Sequence, residues 1–306
     1  KQLALGYSHT CALREDGKLY CWGYNNYGQC GTGVGSSTDL TKPTLASKVP
    51  ALSAVWAGYH RTCGRSLTGD ILCWGYNFGG EAGNSTTSTQ LLPVKVLGLP
   101  STPIVAVAAD YRRTCALTST GDLYCWGYNG TRDVNPSSTT YVTKATKHTT
   151  VTGVAVFGGG AGTLCAMQPV KKQVVCWGDG GDGELGYGGT VSYSATPRVV
   201  KGLMALPVLM SGGNDHTLIV TSNGQLYGAG DGGYYQFGTT SSADVTTFTT
   251  TGFKSKYVAA VGAAETTCAL GFNGQVYCAG YNSYGTVGSN STSTYIKTAA
   301  TVVAPK

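Results

Sequence analysis

The sequence predicts an all-β chain, a single β-propeller of six blades with about 51 residues in each. Three observations lead there. A phrase running Gly-Tyr-Ser-His-Thr-Cys-Ala-Leu and then Gly-Lys-Leu-Tyr-Cys-Trp-Gly-Tyr-Asn, from Gly6 to Asn25, returns in degraded copies centred on Cys63, Cys115, Cys165, Leu218 and Cys268. Successive intervals are 52, 52, 50, 53 and 50 residues, a period regular enough to override the roughly two domains that 306 residues would otherwise suggest. Each copy holds a hairpin signature among short strand-like runs, and neither long helical periodicity nor an apolar run of about 18 residues appears, so no membrane-spanning helix is expected. The approximate blades are 1–53, 54–103, 104–153, 154–207, 208–256 and 257–306 of one propeller, 1–306.

The hairpin follows from its turn. In Glu15-Asp16-Gly17 the glycine falls third in a three-residue loop, where a type I turn plus a left-handed residue closes a hairpin with a bulge. Gly69, Gly121, Gly224 and Gly274 occupy the same slot. Pairing then runs outward from Arg14 and Lys18, and Cys11 falls directly opposite Cys21, where Cα separations of about 4.5–5.5 Å permit a disulfide. The same register predicts Cys11–Cys21, Cys63–Cys73, Cys115–Cys125, Cys165–Cys176 and Cys268–Cys278. In the fifth copy Leu218 and Gly228 replace both cysteines together, as a covalent pair requires. The fourth copy has Lys171-Lys172 in place of the turn glycine, so its hairpin should be irregular. Cys30 is the odd eleventh cysteine. An intermolecular bridge is one reading, but Ala82, Val134, Leu185, Phe237 and Val287 fill its slot elsewhere, which favours a buried free thiol.

Strand-like runs precede the hairpins at Ala54–Ala57, Ile104–Val107, Val154–Phe157 and Val258–Val261, and Ser/Thr-rich extended stretches such as Thr246–Thr251 follow them. At Gly23-Tyr24-Asn25-Asn26-Tyr27-Gly28-Gln29-Cys30-Gly31, after Ser8-His9-Thr10 and Leu19-Tyr20-Cys21-Trp22, the chain resembles the regulator of chromosome condensation repeat family. Gly183-Glu184-Leu185-Gly186 and Asp215-His216-Thr217 extend the resemblance to copies four and five. It implies a propeller, with seven blades in the best-known members. A cut-down seven-bladed relative is the alternative to the six counted here, since Lys1 is not a start methionine. Closure of a ring calls for Tyr295–Val303 to complete a sheet with the N-terminal strands, removing two exposed edges.

Five disulfides imply an oxidising, secreted or cell-surface location. No signal peptide is visible, as expected of a mature or trimmed chain. The sequons at Asn84, Asn129 and Asn290 agree with secretion. Charged residues are only 12%, against about 25% in ordinary domains. The net charge of +6 is spread thinly without a Lys/Arg block, which makes nucleic acid a poor partner. Twenty tyrosines point instead to a surface that packs against something.

Tyr7, Tyr59 and Tyr111 recur four residues before the first cysteine of copies one to three, with His60, Arg61, Arg112 and Arg113 beside them. Repeat symmetry predicts an aromatic and cationic arc on one rim, the first candidate binding face; packing between blades is the competing reading. Tyr24, Tyr76, Tyr128 and Tyr281 form a second series, and Trp22, Trp74, Trp126 and Trp177 read as inter-blade core. His9 and His216 sit at the family's histidine position, where the resemblance implies a structural hydrogen bond. Four histidines form no spaced ligand set, and the acidic run Asp179–Glu184 lacks calcium-loop spacing, so neither a metal nor a cofactor is expected. No nucleophile elbow or phosphate loop is present. The expected function is that of a secreted, non-enzymatic propeller working through a protein partner or self-assembly, as a structural or adhesive subunit. The alternatives are a carbohydrate-binding propeller and, by resemblance, a propeller-type enzyme inhibitor. The namesake nuclear role implied by the family conflicts with the disulfides.

Overall fold

The computed structural model describes residues 1–111, 113–130, 134–135 and 140–303, with the backbone alone at 36–38. The chain is an all-β, six-bladed β-propeller: six four-stranded antiparallel sheets, each made of consecutive strands, with no helix among the described residues. The first sheet comprises Gln2–Leu5, His9–Leu13, Leu19–Asn25 and Ser36–Leu45. The second comprises Leu52–Ala57, Arg61–Ser66, Ile71–Gly75 and Gln90–Lys95. The third comprises Ile104–Ala109, Arg113–Thr118, Leu123–Gly127 and Val142–Lys147. These three sheets form one compact unit, Lys1–Gly153. The second unit, Val154–Lys306, holds the other three. Its first sheet comprises Val156–Gly159, Thr163–Gln168, Gln173–Asp179 and Tyr193–Val199, and the next Pro207–Gly212, His216–Thr221, Leu226–Gly230 and Val245–Thr250. The last comprises Tyr257–Ala263, Thr266–Gly271, Val276–Tyr281 and Tyr295–Thr301.

The turn chemistry sets the register. The five turn glycines take φ values between +77° and +92°, a region that costs glycine nothing, and Arg14 N–H donates to Lys18 O at 2.9 Å as the three-residue loop requires. Cys11, Cys63, Cys115, Cys165 and Cys268 lie directly opposite Cys21, Cys73, Cys125, Cys176 and Cys278, and all five pairs are disulfides with Cα atoms 4.1 Å apart. In the fourth blade the loop is one residue longer and Lys172, at φ +50°, takes the left-handed place of the glycine. In the fifth, Leu218 opposes Gly228 in the disulfide register. A Cβ on Gly228 would meet the Phe237 ring at 2.4 Å, so the ring occupies the space that a second cysteine needs. Cys30 is a buried free thiol, and burial, with Asp39 adding to it, pushes its pKa up to about 12.

The terminal strand corrects one expectation. Tyr295–Thr301 pairs with Val276–Tyr281 as the fourth strand of its own sheet, with Cys278 opposite Ala300, while Gln2–Leu5 pairs with His9–Leu13. The sixth repeat is complete in itself, so its last strand is already taken.

Blades pack through recurring apolar and polar contacts. Leu13, Leu19, Cys30, Ala46, Leu52, Val55 and Trp74 form one buried cluster across the first two blades. Fully burying each large side chain contributes about 1.5–3 kcal/mol. The Gln29 carbonyl accepts from Trp74 Nε1 at 2.9 Å and from Thr62 Oγ at 2.8 Å, and the Glu81 carbonyl accepts from Trp126 Nε1 at 2.7 Å and Thr114 Oγ at 3.0 Å. Trp74, Trp126 and Trp177 are fully buried, whereas Trp22 is partly exposed.

Candidate functional site

The bend before the second strand of each blade and the loop after the third strand lie at one end of the hairpin. In the first unit both segments carry rings. Tyr59 sits between Tyr7, at 4.6 Å between centroids, and Tyr111, at 4.4 Å edge-on. His60 packs on Tyr59 at 4.1 Å, on Tyr24 at 4.9 Å and, stacked, on Tyr27 at 5.4 Å. Tyr27 continues to Tyr76 at 5.2 Å, and Tyr76 to Phe78 at 4.9 Å. Eight rings therefore form one connected network, with Tyr7 and Phe78 each 53% exposed and Tyr111 41%. Such pairs stabilise by about 0.5–1.5 kcal/mol beyond area burial, which holds the rings in place. Burial and the neighbouring Arg61 lower the pKa of His60, favouring its neutral form in the network. Tyr27 and Phe78 were not among the candidates; their signal was position, in the loop directly after the Trp-Gly-Tyr-Asn hairpin. Tyr128 lies 6.0 Å from Tyr141.

Among the described residues the arc is aromatic and not cationic, which corrects Arg61 and Arg113; Arg112 lies outside the described residues. Arg61 is fully buried, with Nε donating to Thr114 Oγ at 3.0 Å and a terminal nitrogen donating to the carbonyls of Asp110 and Arg113. Arg113 is also buried, and its Nε lies 2.6 Å from an Asp110 carboxylate oxygen. The cause is strand alternation: Arg61 and Arg113, two before the cysteine, point between blades, whereas His60, three before it, points out. His9 and His216 fill that same inward slot and bond Thr62 at 2.9 Å and Thr267 at 3.1 Å in the next blade. Because the Thr62 hydroxyl gives its proton to Gln29 O, His9 Nε2–H must donate, and burial with the nearby His60 drives the His9 pKa down to about 3.

The second unit places acids at equivalent rim positions. Asp179 and Asp231 stand where Tyr24 and Tyr76 do, Asp215 and Glu265 where His60 does, and Asp182 where Tyr27 does. Ligand oxygens of Asp182, Glu184 and Asp215 lie within 4.8 Å of one another. Burial and neighbouring carboxylates raise the pKa values of Asp182 and Asp215, and Glu184 is pushed up to about 7, chiefly by burial. Glu184 accepts from the Asp182 N–H at 3.0 Å, the bond that Gln29, Glu81 and Gln236 make in their own blades, so its first role is to shape the loop. Beside the acids, Tyr234, Tyr281 and Tyr295 lie 6.0–6.3 Å apart.

Of the three sequons, Asn290 is exposed and Asn84 partly so. Asn129 is fully buried: its Oδ1 accepts from Val134 N–H at 2.9 Å, the staple that Asn25, Asn77 and Asn282 make in other blades, and its Thr131 lies outside the described residues. It cannot carry a glycan in this fold, which corrects that expectation.

The repeat geometry agrees with what comparison shows. Profiles of the regulator of chromosome condensation (RCC1) repeat match residues 16–66, 68–117 and 173–220 in one form and 1–29, 104–131, 208–236 and 258–286 in another, together well over half of the chain. The ultraviolet-B receptor UVR8 of Arabidopsis thaliana is 31% identical over 208 residues, covering 66% of this chain and 46% of that protein. The probable E3 ubiquitin-protein ligase HERC4 of Homo sapiens is 32% identical over 205 residues, covering 66% of this chain and 19% of that protein. The chain thus spans less than half the length of either curated relative. Yeast RCC1 (Prp20), solved bound to Kap60, shares the fold with a TM-score of 0.87 at 18% identity, over 99% of this chain and 74% of that one. With the repeats matched along both units, the chain belongs to the RCC1 repeat family.

Proposed function

We propose that this chain is an extracellular, non-enzymatic propeller that works by protein–protein contact, as a structural or adhesive subunit of an assembly. The observation that carries the reading is the rim of eight connected rings in the first unit, led by Tyr7, Tyr59 and Tyr111. A contiguous exposed aromatic patch is a docking surface more often than an accident of composition. Its rings are fixed by mutual packing, so little side-chain entropy is lost on contact, and no described charged side chain belongs to the network to be desolvated. That related stretches occur in a receptor and in a ligase supports recognition as the common task.

The five disulfides support an oxidising compartment, and Asn84 and Asn290 are the sequons accessible to glycans there. The test is association of the secreted protein, wild type against Tyr7→Ala/Tyr59→Ala/Tyr111→Ala, by sedimentation and crosslinking. The expected result is loss of the partner or self-contact with an unchanged melt. Contacts that survive the triple substitution overturn the reading, and loss of binding on a glycan array without loss of a protein contact makes the rim a sugar platform.

A further inference from the structure

The opposite end of the second unit's hairpins bears four exposed apolar side chains. Val170 is 92% exposed, Met204 86%, Phe272 67% and Leu206 57%. Val170 and Phe272 lie in or beside the turns between the second and third strands, and Met204 and Leu206 in the connector that enters Pro207. Turns and connectors interleave there. Ser222 N–H donates to Leu206 O at 2.8 Å, Tyr257 N–H to Gly224 O at 2.8 Å and Phe272 N–H to Lys256 O at 2.9 Å. A Cβ on Gly224 would meet Phe272 at 3.1 Å and Lys256 at 3.0 Å. The turn Pro169–Lys172 closes the corresponding end of the fourth blade's hairpin.

The charge of this face has one sign. Lys171, Lys172, Lys254 and Lys256 are exposed, none has a salt-bridge partner among the described residues, and no Asp or Glu occurs in 169–173, 201–207, 222–225, 253–257 or 271–275. The first unit treats the same turns differently. Asp16, Asp70 and Asp122 stand there, each beside a cation: Arg14 at 3.7 Å, Lys95 at 2.7 Å and Lys147 at 2.9 Å. The first unit also bares one apolar turn residue, Leu67 at 70% exposed, but beside the Asp70–Lys95 pair; in the second unit the apolar tips are interleaved with lysines that have no salt-bridge partner among the described residues.

We propose that the turn face of the second unit docks on an anionic lipid bilayer, with Val170, Met204, Leu206 and Phe272 entering the headgroup boundary and the lysines pairing with lipid phosphates and carboxylates. Charge complementarity selects a negative surface. The apolar tips select a bilayer over a soluble polyanion, because only a bilayer removes them from water. This surface shares no residue with the aromatic rim, so the two readings stand or fall independently.

The test is flotation of the intact protein with vesicles of phosphatidylserine and phosphatidylcholine, against phosphatidylcholine alone. Binding is expected only to the anionic vesicles. Lys171→Glu/Lys172→Glu/Lys256→Glu should weaken it at least about tenfold, while Lys95→Glu/Lys147→Glu should leave it unchanged. Val170→Ser/Met204→Ser/Phe272→Ser should also weaken it. Acetylation footprinting of the wild type, which requires no variant to fold, should show lysines 171, 172, 254 and 256 protected by vesicles. Absent flotation, unprotected lysines, or an apolar variant that binds as well as wild type while heparin displaces the vesicles would overturn the proposal.

Discussion

The two units share one scaffold and differ at its rims. His9 to Thr62 in the first unit and His216 to Thr267 in the second are the same bond at the same repeat positions. One residue before that slot, which Arg61 and Thr266 fill in neighbouring blades, the comparison changes: Ser8, His60 and their aromatic neighbours face out in the first unit, whereas Asp215 and Glu265 do so in the second. The turn ends differ as well, with paired acids in one unit and unpaired lysines in the other. Inward positions bind blade to blade and tolerate few solutions. Outward positions carry no such load, so duplicated blades can diverge there into surfaces of different chemistry.

The largest effect should come from breaking an inward position. Arg61→Ala would strand the acceptors at Asp110 and Arg113 and leave Glu81 beside an empty site, at a cost of about 3–5 kcal/mol by denaturant titration. His216→Ala removes a neutral hydrogen bond in the same slot and should cost less, about 1–3 kcal/mol in the same titration. Equal losses would mean that the buried guanidinium is no keystone.

Next come the disulfides. Each closes a hairpin of about eleven residues, so Cys63→Ala/Cys73→Ala should lose about 2–3 kcal/mol. The fifth blade sharpens the point. Leu218→Cys/Gly228→Cys alone should leave two titratable thiols, because Phe237 fills the space, and addition of Phe237→Ala should allow the bridge to form, as mass spectrometry without reduction would show.

Acid separates the units more gently. His9 and His148 have folded pKa values of about 3 and about 4 against an ordinary 6.5. His60 faces the first, and Arg113 and Thr150 the second. The unfolded chain takes up those protons first, so their contribution is full above pH 6.5 and is lost as pH falls through 6.5 toward about 3. In the second unit His216, at about 4, behaves likewise, but Glu184 opposes it. Its pKa is raised from 4.5 to about 7, so its contribution is full below 4.5 and is lost as pH rises through about 7. Hydrogen-exchange protection, taken relative to the intrinsic rate at each pH, should therefore fall more from pH 7 to 4.5 in His9–Leu13 than in His216–Thr221. The smallest effect should be Tyr7→Ala, which touches only the rim and should move stability by less than about 1 kcal/mol by thermal melt.

Much of this was legible in the chain. The turn glycine determined the hairpin register, and the register placed Cys11 against Cys21, because both are local consequences of backbone geometry. Arg61 and Arg113 were misplaced by one strand position, although their alignment with His9 and His216 already marked the inward slot. Asn129 satisfied a sequon while serving as the buried staple of its loop, a role visible only once Asn25, Asn77 and Asn282 are seen to make the same bond. Which loop residues converge in space, as Tyr27 and Phe78 do on Tyr76, depends on packing between neighbouring blades and leaves no periodic trace.

The central claim is that the aromatic rim of the first unit is the contact surface. Hydroxyl-radical footprinting of the protein in its native setting, against the isolated chain, tests it at single side chains. The account predicts that Tyr7, Phe78 and Tyr111 are protected in that setting while Tyr284, 86% exposed in the second unit, is oxidised equally in both. Equal oxidation of Tyr7, Phe78 and Tyr111 in the two samples would contradict it.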